Sequence, residues 1–190
     1  RLVVLDPRRT KTAKYADEWL PIRPGADAFF LFALVHTLFA EDLTQTDRYQ
    51  GILQGLEQMR TLCEPFSPEA VAPRCNLPAH TIRRLARELA HAPSAAVYGR
   101  LGTSTVRFGT LTSWLVDVLN ILTGNLDREG GVMFPQSMHA RWRPGAPAQG
   151  RGYRIGRWSS RVHGHPEAQG ELPVSTLLDE ITEPGAGQIR

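Results

Sequence analysis

Two short blocks near the start of the chain bring together residue types that can grip a polar ligand. The first, Asp6-Pro7-Arg8-Arg9-Thr10-Lys11-Thr12, follows directly on the apolar run Leu2-Val3-Val4-Leu5. The second is Pro21-Ile22-Arg23-Pro24-Gly25-Ala26-Asp27. Each sets an acid beside arginine and a turn-forming proline or glycine. A carboxylate accepts hydrogen bonds from ribose hydroxyls or from adjacent N–H donors of a base. Arginine, threonine and backbone N–H groups donate to hydroxyls or phosphate. Acids at the C-terminal edge of strands stand where open α/β sheets bind nucleotides. The same residues also have a purely structural reading, in which Asp6 starts an Asx-turn before Pro7 and Asp27 caps a helix.

The elements that must carry these blocks follow from periodicity. Residues 2–5 read as a buried strand and residues 19–23 as a second one. Thr10 to Ala16 reads as a polar loop or a single helical turn. A helix is expected over 26–43; it is apolar all round from Ala28 to Val35, so it should be buried rather than amphipathic. His36 within it reads as a satisfied core or edge histidine. Residues 45–63 have helical spacing weakened by Gly51 and Gly55, and Pro65, Pro68 and Pro73 read as a connection. A stronger helix spans 77–90, with Arg83, Arg84 and Arg87 on a solvated face. Ala95-Ala96-Val97-Tyr98 reads as a third strand. Leu111 to Leu122 reads as a helix with Trp114, Leu115, Val118, Leu119 and Leu122 inward, and Leu172 to Ile181 as a short one. Strands alternating with helices imply an α/β fold of three layers, a mostly parallel sheet with helices on both faces, Rossmann-like.

Gly99-Arg100-Leu101-Gly102-Thr103-Ser104, after the third strand, reads either as backbone lying close to a ligand or as a strand-to-helix turn that needs glycine. Other candidate groups carry less. Cys63 and Cys75 have no Cys-x-x-Cys spacing and read as small hydrophobes. His80 and His91 read as surface residues, and His163 with His165 as too few ligands for a metal. The segment from Pro135 to Pro166 holds six arginines and no acid, interleaved with Trp142, Tyr153 and Trp158. Such a pattern can bind nucleic acid, but in a loop rich in glycine and proline the arginines read first as facing protein or an anionic cofactor. A net charge of +3 makes no global case for nucleic acid. No apolar run reaches membrane length. The chain opens inside a strand-like run without an initiator Met, and it reads as an excised piece of a larger protein.

Asp-Pro-Arg-Arg-Thr-x-Thr, Ala16-Asp17 and Pro-Ile-Arg-Pro-Gly-x-Asp resemble the molybdopterin oxidoreductases of the dimethyl sulfoxide reductase family. The resemblance continues through Leu119-Asn120-x-Leu122-Thr123-Gly124-Asn125-Leu126-Asp127 and Gly130-Gly131, so it covers about residues 1–135. The blocks in order are specific, whereas any one alone is weak. Thr103-Ser104-Thr105 departs from the family, which often has a glutamine there.

The resemblance implies a molybdenum cofactor, bis-molybdopterin guanine dinucleotide, with Asp6 on the ribose side and Asp27 on the base. Pro7, Arg8, Arg9, Thr10, Gly25, Ala26, Gly99 and Gly102 complete the candidate cofactor-binding set. No catalytic residue and no metal ligand are identified. An iron–sulfur cluster is implied for the full-length protein and not for this stretch, which lacks the four-cysteine motif. The expected organisation is a cofactor-binding α/β domain over 1–134, an Arg/Gly/Pro-rich loop over 135–170 with some disorder, and a short helix and truncated domain end over 171–190. Expected partners are the remaining domains of the same protein and an electron-transfer subunit, with no nucleic acid and no membrane segment. The compartment is left open, cytoplasm set before periplasm. Two other readings stand beside this one: a molybdenum-free relative in the large subunit of respiratory NADH:quinone oxidoreductase, and a stand-alone nucleotide- or nucleic-acid-binding module.

Overall fold

A computed structural model describes residues 1–134, 155–168 and 170–190. The chain divides into two units, Arg1–Gln136 and Ser137–Arg190.

The first unit runs β1 (Val3–Leu5), α1 (Lys11–Tyr15), β2 (Glu18–Leu20), α2 (Asp27–Ala40), a 3-10 turn (Asp47–Tyr49), α3 (Leu56–Cys63), α4 (Pro68–Cys75), α5 (Ala79–His91), α6 (Leu101–Ser104) and α7 (Gly109–Leu122). The all-round apolar helix is the centre of the unit. Helix α2 packs against α4, α5 and α7 and buries Phe30 to Val35 without a break, as its lack of a polar face requires. Phe32 stacks on Phe66 with ring centroids 4.4 Å apart. Helix α5 turns Ile82, Leu85, Ala86 and Ala90 inward. Its outward arginines are paired rather than merely solvated: Arg83 with Glu69, Arg84 with Glu18 and Glu88, Arg87 with Glu41.

The chain is α/β. Among the described residues its strands form two two-stranded sheets, β1 with β2 and β3 with β4. Strands β1 and β2 are parallel, in the register Val3↔Glu18, Val4↔Trp19, Leu5↔Leu20.

Several expectations are corrected. The third strand, over 95–98, does not form. Its backbone is bonded instead by side chains: Asn120 takes both polar groups of Val97, and Asn125 Oδ1 accepts from Ala95 N. The second strand stops at Leu20 rather than reaching residue 23, because Pro21 has no N–H for the ladder. Gly51 and Gly55, at φ +79° and +82°, divide the helix expected over 45–63 into the 3-10 turn and α3. The proline-punctuated connection is a helix, α4. Ser67 caps it through a hydrogen bond from Ala70 N, and Pro68 takes the first helical position, which needs no donor. Trp114 is not inward; it is 45% exposed, while Leu115, Val118, Leu119 and Leu122 are buried.

The second unit contains β3 (Ile155–Ser159), β4 (Pro166–Ala168), a 3-10 turn (Val174–Thr176) and α8 (Leu177–Thr182). Strands β3 and β4 are antiparallel, where the sequence reads as loop. Arg157 and Arg161 find acids beyond the basic segment. Arg157 pairs with the fully buried Glu167, and Arg161 Nε lies 3.1 Å from Glu180. Arg141, Trp142, Arg143, Arg151, Tyr153 and Arg154 lie outside the described residues.

Candidate functional site

The parallel register fixes what shares an edge. Leu5 lies opposite Leu20, so the chain leaves β1 and β2 on the same side. The Leu20 carbonyl accepts from Asp6 N at 3.2 Å and from Ile22 N at 2.9 Å, tying the two outgoing loops to one atom.

The first loop is built around Asp6. Its Oδ1 accepts from Arg8 N at 2.8 Å, the Asx-turn that its place before Pro7 implies. Thr10 caps α1, with Oγ1 accepting from Ala13 N at 3.3 Å. Trp19 Nε1 donates to the Asp6 carbonyl at 2.9 Å, and the Arg9 guanidinium lies 5.8 Å from the Trp19 ring centroid. One Asp6 carboxylate oxygen is therefore used by its own loop. The other has no partner among the described residues. Pro7, Arg8 and Arg9 are exposed.

The second loop is a turn closed by Ala26 N donating to Arg23 O at 3.1 Å, with Pro24 and Gly25 at its corners. Gly25 has φ +77°, a left-handed position that glycine takes without strain, and a Cβ there would meet nothing within 4 Å. Ala26, without a side-chain hydrogen bond, is the N-cap of α2; Asp27 is the first helical residue. So Asp27 does not cap the helix through its own position. Its half-buried carboxylate is pushed above the usual carboxylate range, because burial disfavours the charge. Among the described residues no other side chain donates to it.

Asp6, Pro7, Arg8, Arg9 and Thr10 thus follow β1, and Gly25, Ala26 and Asp27 follow the paired end of β2, with Asp27 opening α2. Arg8, Arg9 and Arg23 have no carboxylate partner among the described residues, in contrast to the arginines of α5. Gly99 and Gly102 stand apart: no described contact joins them to Asp6 or Asp27. A Cβ at Gly99 would meet Thr103 Oγ1 at 2.7 Å, whereas one at Gly102 would meet nothing within 4 Å.

The sequence reading missed Trp19, which fixes the Asp6 loop, and gave Asn120 no role of its own. Trp19 carried no signal beyond its strand. Cys63 and Cys75 are buried, and burial pushes both thiols up to about 11, as small core residues behave. His36 is satisfied, with Nδ1 3.2 Å from Cys63 O. Among the described residues no three His, Cys, Asp or Glu side chains gather as metal ligands. No helix of the described residues is long and apolar enough to cross a membrane.

Comparison with known proteins agrees with the motif blocks. Residues 1–171 match the family model described as molybdopterin oxidoreductase. The thiosulfate reductase molybdopterin-containing subunit PhsA of Salmonella typhimurium is 35% identical over 134 residues, 70% of this chain and 18% of the relative. Formate dehydrogenase H of Escherichia coli is 31% identical, over 67% of this chain and 18% of the relative. A probable dimethyl sulfoxide reductase chain of Escherichia coli, YnfF, is 28% identical over 96% of this chain and 23% of its own. Among solved structures, acetylene hydratase from Pelobacter acetylenicus superposes with a TM-score of 0.64 at 25% identity, covering 68% of this chain and 18% of that one. The chain spans about a fifth of the length of these relatives.

Proposed function

The chain belongs to the molybdopterin oxidoreductase family, and from that premise we propose that residues 1–134 hold the guanosine end of a bis-molybdopterin guanine dinucleotide cofactor within a larger oxidoreductase. One observation supports the reading: two acids, three arginines without carboxylate partners among the described residues and an open glycine corner follow the paired ends of two parallel strands. The donor and acceptor set fits such a group. Asp27 can accept both adjacent N–H donors of a guanine, and Asp6 can accept from ribose hydroxyls with the oxygen its own loop leaves free. Arg8, Arg9 and Arg23 supply charge-assisted donors for phosphate, with Thr10 and the backbone at Gly25 and Ala26 beside them. Gly99 and Gly102 are assigned to a second contact with the same cofactor. Molybdenum supplies two-electron redox chemistry in such a cofactor; the work of this region is retention and orientation.

The parallel β1–β2 pair is read as part of a larger three-layer sheet completed by the rest of the protein, since parallel strands are stable mainly when both faces are covered. An iron–sulfur cluster and an electron-transfer subunit are assigned to that remainder. The molybdenum-free reading is not favoured, because the sequence relatives include a thiosulfate reductase subunit described as molybdopterin-containing and a formate dehydrogenase.

The test is Asp27→Ala in the full-length enzyme. A buried donor pair left without its acceptor costs roughly 1–3 kcal/mol, so molybdenum and guanine per purified protein should fall while circular dichroism is unchanged. Asp27→Asn should lose cofactor too, because the amide keeps one acceptor oxygen and adds a donor. Full occupancy in both variants overturns the assignment of Asp27.

A further inference from the structure

The turn that carries Asp27 is held by the end of a helix remote in sequence. Between β2 and α2 the backbone leaves the sheet, so its polar groups need partners elsewhere. Ile22 N is taken by Leu20 O, and Arg23 O by Ala26 N. Three further groups go to two consecutive residues at the C-terminus of α4. Arg23 N donates to Cys75 O at 3.0 Å. Asn76 Nδ2 donates to Pro21 O at 3.4 Å. Cys75 Sγ–H donates to Ala26 O at 3.8 Å.

The local sequence explains why these two residues can do this. Asn76 ends α4 in the left-handed conformation, φ 59° and ψ 34°, which asparagine tolerates better than other side chains. That conformation ends the helix and frees the Cys75 carbonyl from the helical ladder. Cys75 is fully buried, and the Asp27 carboxylate is close enough to push its thiol up after burial has done so.

We propose that Cys75 and Asn76 form a hook that sets the Pro21–Ala26 turn and thereby the stance of the Asp27 carboxylate, making them positioning residues for a purine nucleotide bound at the strand edge. This rests on the nucleotide reading of Asp27. No contact between the hook and the ligand is required. Its effect runs through the turn, so it should shrink when Asp27 is absent.

The experiment uses full-length enzyme loaded with its cofactor. Asn76→Gly is the chief variant: glycine keeps the left-handed conformation and removes only the amide, so the fold is retained. Cys75→Ala and Cys75→Ser form a second pair, the serine restoring a donor. Two readouts are taken, hydrogen exchange of the Arg23 and Ala26 amides and the rate at which guanine nucleotide is released. Asn76→Gly should raise Arg23 exchange about tenfold and speed release several-fold, without lowering the melting temperature by more than a few degrees. Cys75→Ala should do likewise and Cys75→Ser should recover part of the loss. In an Asp27→Ala background, Asn76→Gly should speed release by a clearly smaller factor, since only the Arg23, Gly25 and Ala26 contacts of the turn remain to be disturbed, and an equal or larger factor there overturns its action through Asp27. Unchanged Arg23 exchange in both Asn76→Gly and Cys75→Ala overturns the hook. Faster exchange with unchanged release overturns its positioning role. Full cofactor retention in Asp27→Ala overturns the nucleotide reading instead, and Arg23 exchange still decides whether the hook holds the turn.

Discussion

The side-chain amide of Asn120 pairs with both backbone groups of Val97: Nδ2 donates to the carbonyl at 2.9 Å, and Oδ1 accepts from the N–H at 2.9 Å. A second bond from Nδ2 reaches Val116 O at 2.9 Å, and Asn120 is fully buried. The amide thus serves Val97 as a neighbouring strand would. Asn120→Ala should destabilise the 190-residue chain by about 1–3 kcal/mol for each buried group left unpaired. Urea unfolding measures it, and a change below 0.5 kcal/mol, about the scatter of surface substitutions, would contradict the pairing.

Glycine positions separate packing from ligand contact. A Cβ at Gly131 would stand 2.2 Å from Asn125 O, and one at Gly109 would stand 2.0 Å from Ser104 O. Both neighbours are backbone, which cannot swing away, so alanine at either position should cost about 1–3 kcal/mol or more. Gly102→Ala meets open space and should leave stability within about 0.5 kcal/mol or improve it. If Gly102 touches the cofactor, this variant should lose guanine and molybdenum from the full-length enzyme while melting normally. Retention at the wild-type level removes Gly102 from the site.

Glu167 gives the second unit an acid limit. Hydrogen bonds from Arg157, then from the Gly170 and Arg157 amides, hold its carboxyl down to about 2. A carboxyl lowered in the folded state adds stability that is present above its unfolded value, near 4.5, and is lost as pH falls toward 2. The protection of the Arg157 and Gly170 amides, taken relative to their intrinsic exchange rates at each pH, should therefore fall across that window. In Glu167→Gln the protection should be lower at neutral pH and nearly independent of pH through the same range. An unchanged acid profile in the variant would show that another group sets the limit.

Asp27 has the opposite sign. Burial raises its carboxyl in the folded chain, so ionisation at neutral pH opposes folding, and the penalty disappears as pH falls below the unfolded value. Asp27→Asn should make the cofactor-free chain more stable at pH 7 and bring little change at pH 3. The same substitution is expected to weaken cofactor retention, so stability and binding move in opposite directions. Equal melting temperatures of wild type and variant at pH 7 would contradict the buried charge.

Much of the fold was legible because single segments announced it. The unbroken apolar face of α2 could only be buried, and the run Val3–Leu5 ending at Asp6-Pro7 could only be a short strand. The two acid-bearing loops were legible as well, since turn chemistry at Pro7 and at Pro24-Gly25 is local. What failed depended on partners far along the chain. Val97 has every residue type a strand needs, yet Asn120 occupies its backbone. Pro68 and Pro73 look like breaks until Ser67 is seen to cap a helix. Trp114 falls on the helical stripe of α7 but stands 45% exposed. The roles of Cys75 and Asn76 had no local signal at all, because their partners are backbone atoms of another loop.

That separation has a consequence for how the protein is made. The Asp6 loop is closed by Trp19, only 13 residues along the chain. The Asp27 turn waits for Cys75 and Asn76, 49 and 55 residues beyond the groups they bind. At translation rates of roughly 5–20 residues per second, this is a lag of about 2–11 seconds. Every residue whose contacts define the Asp6 loop is therefore synthesised before the two that hold the Asp27 turn.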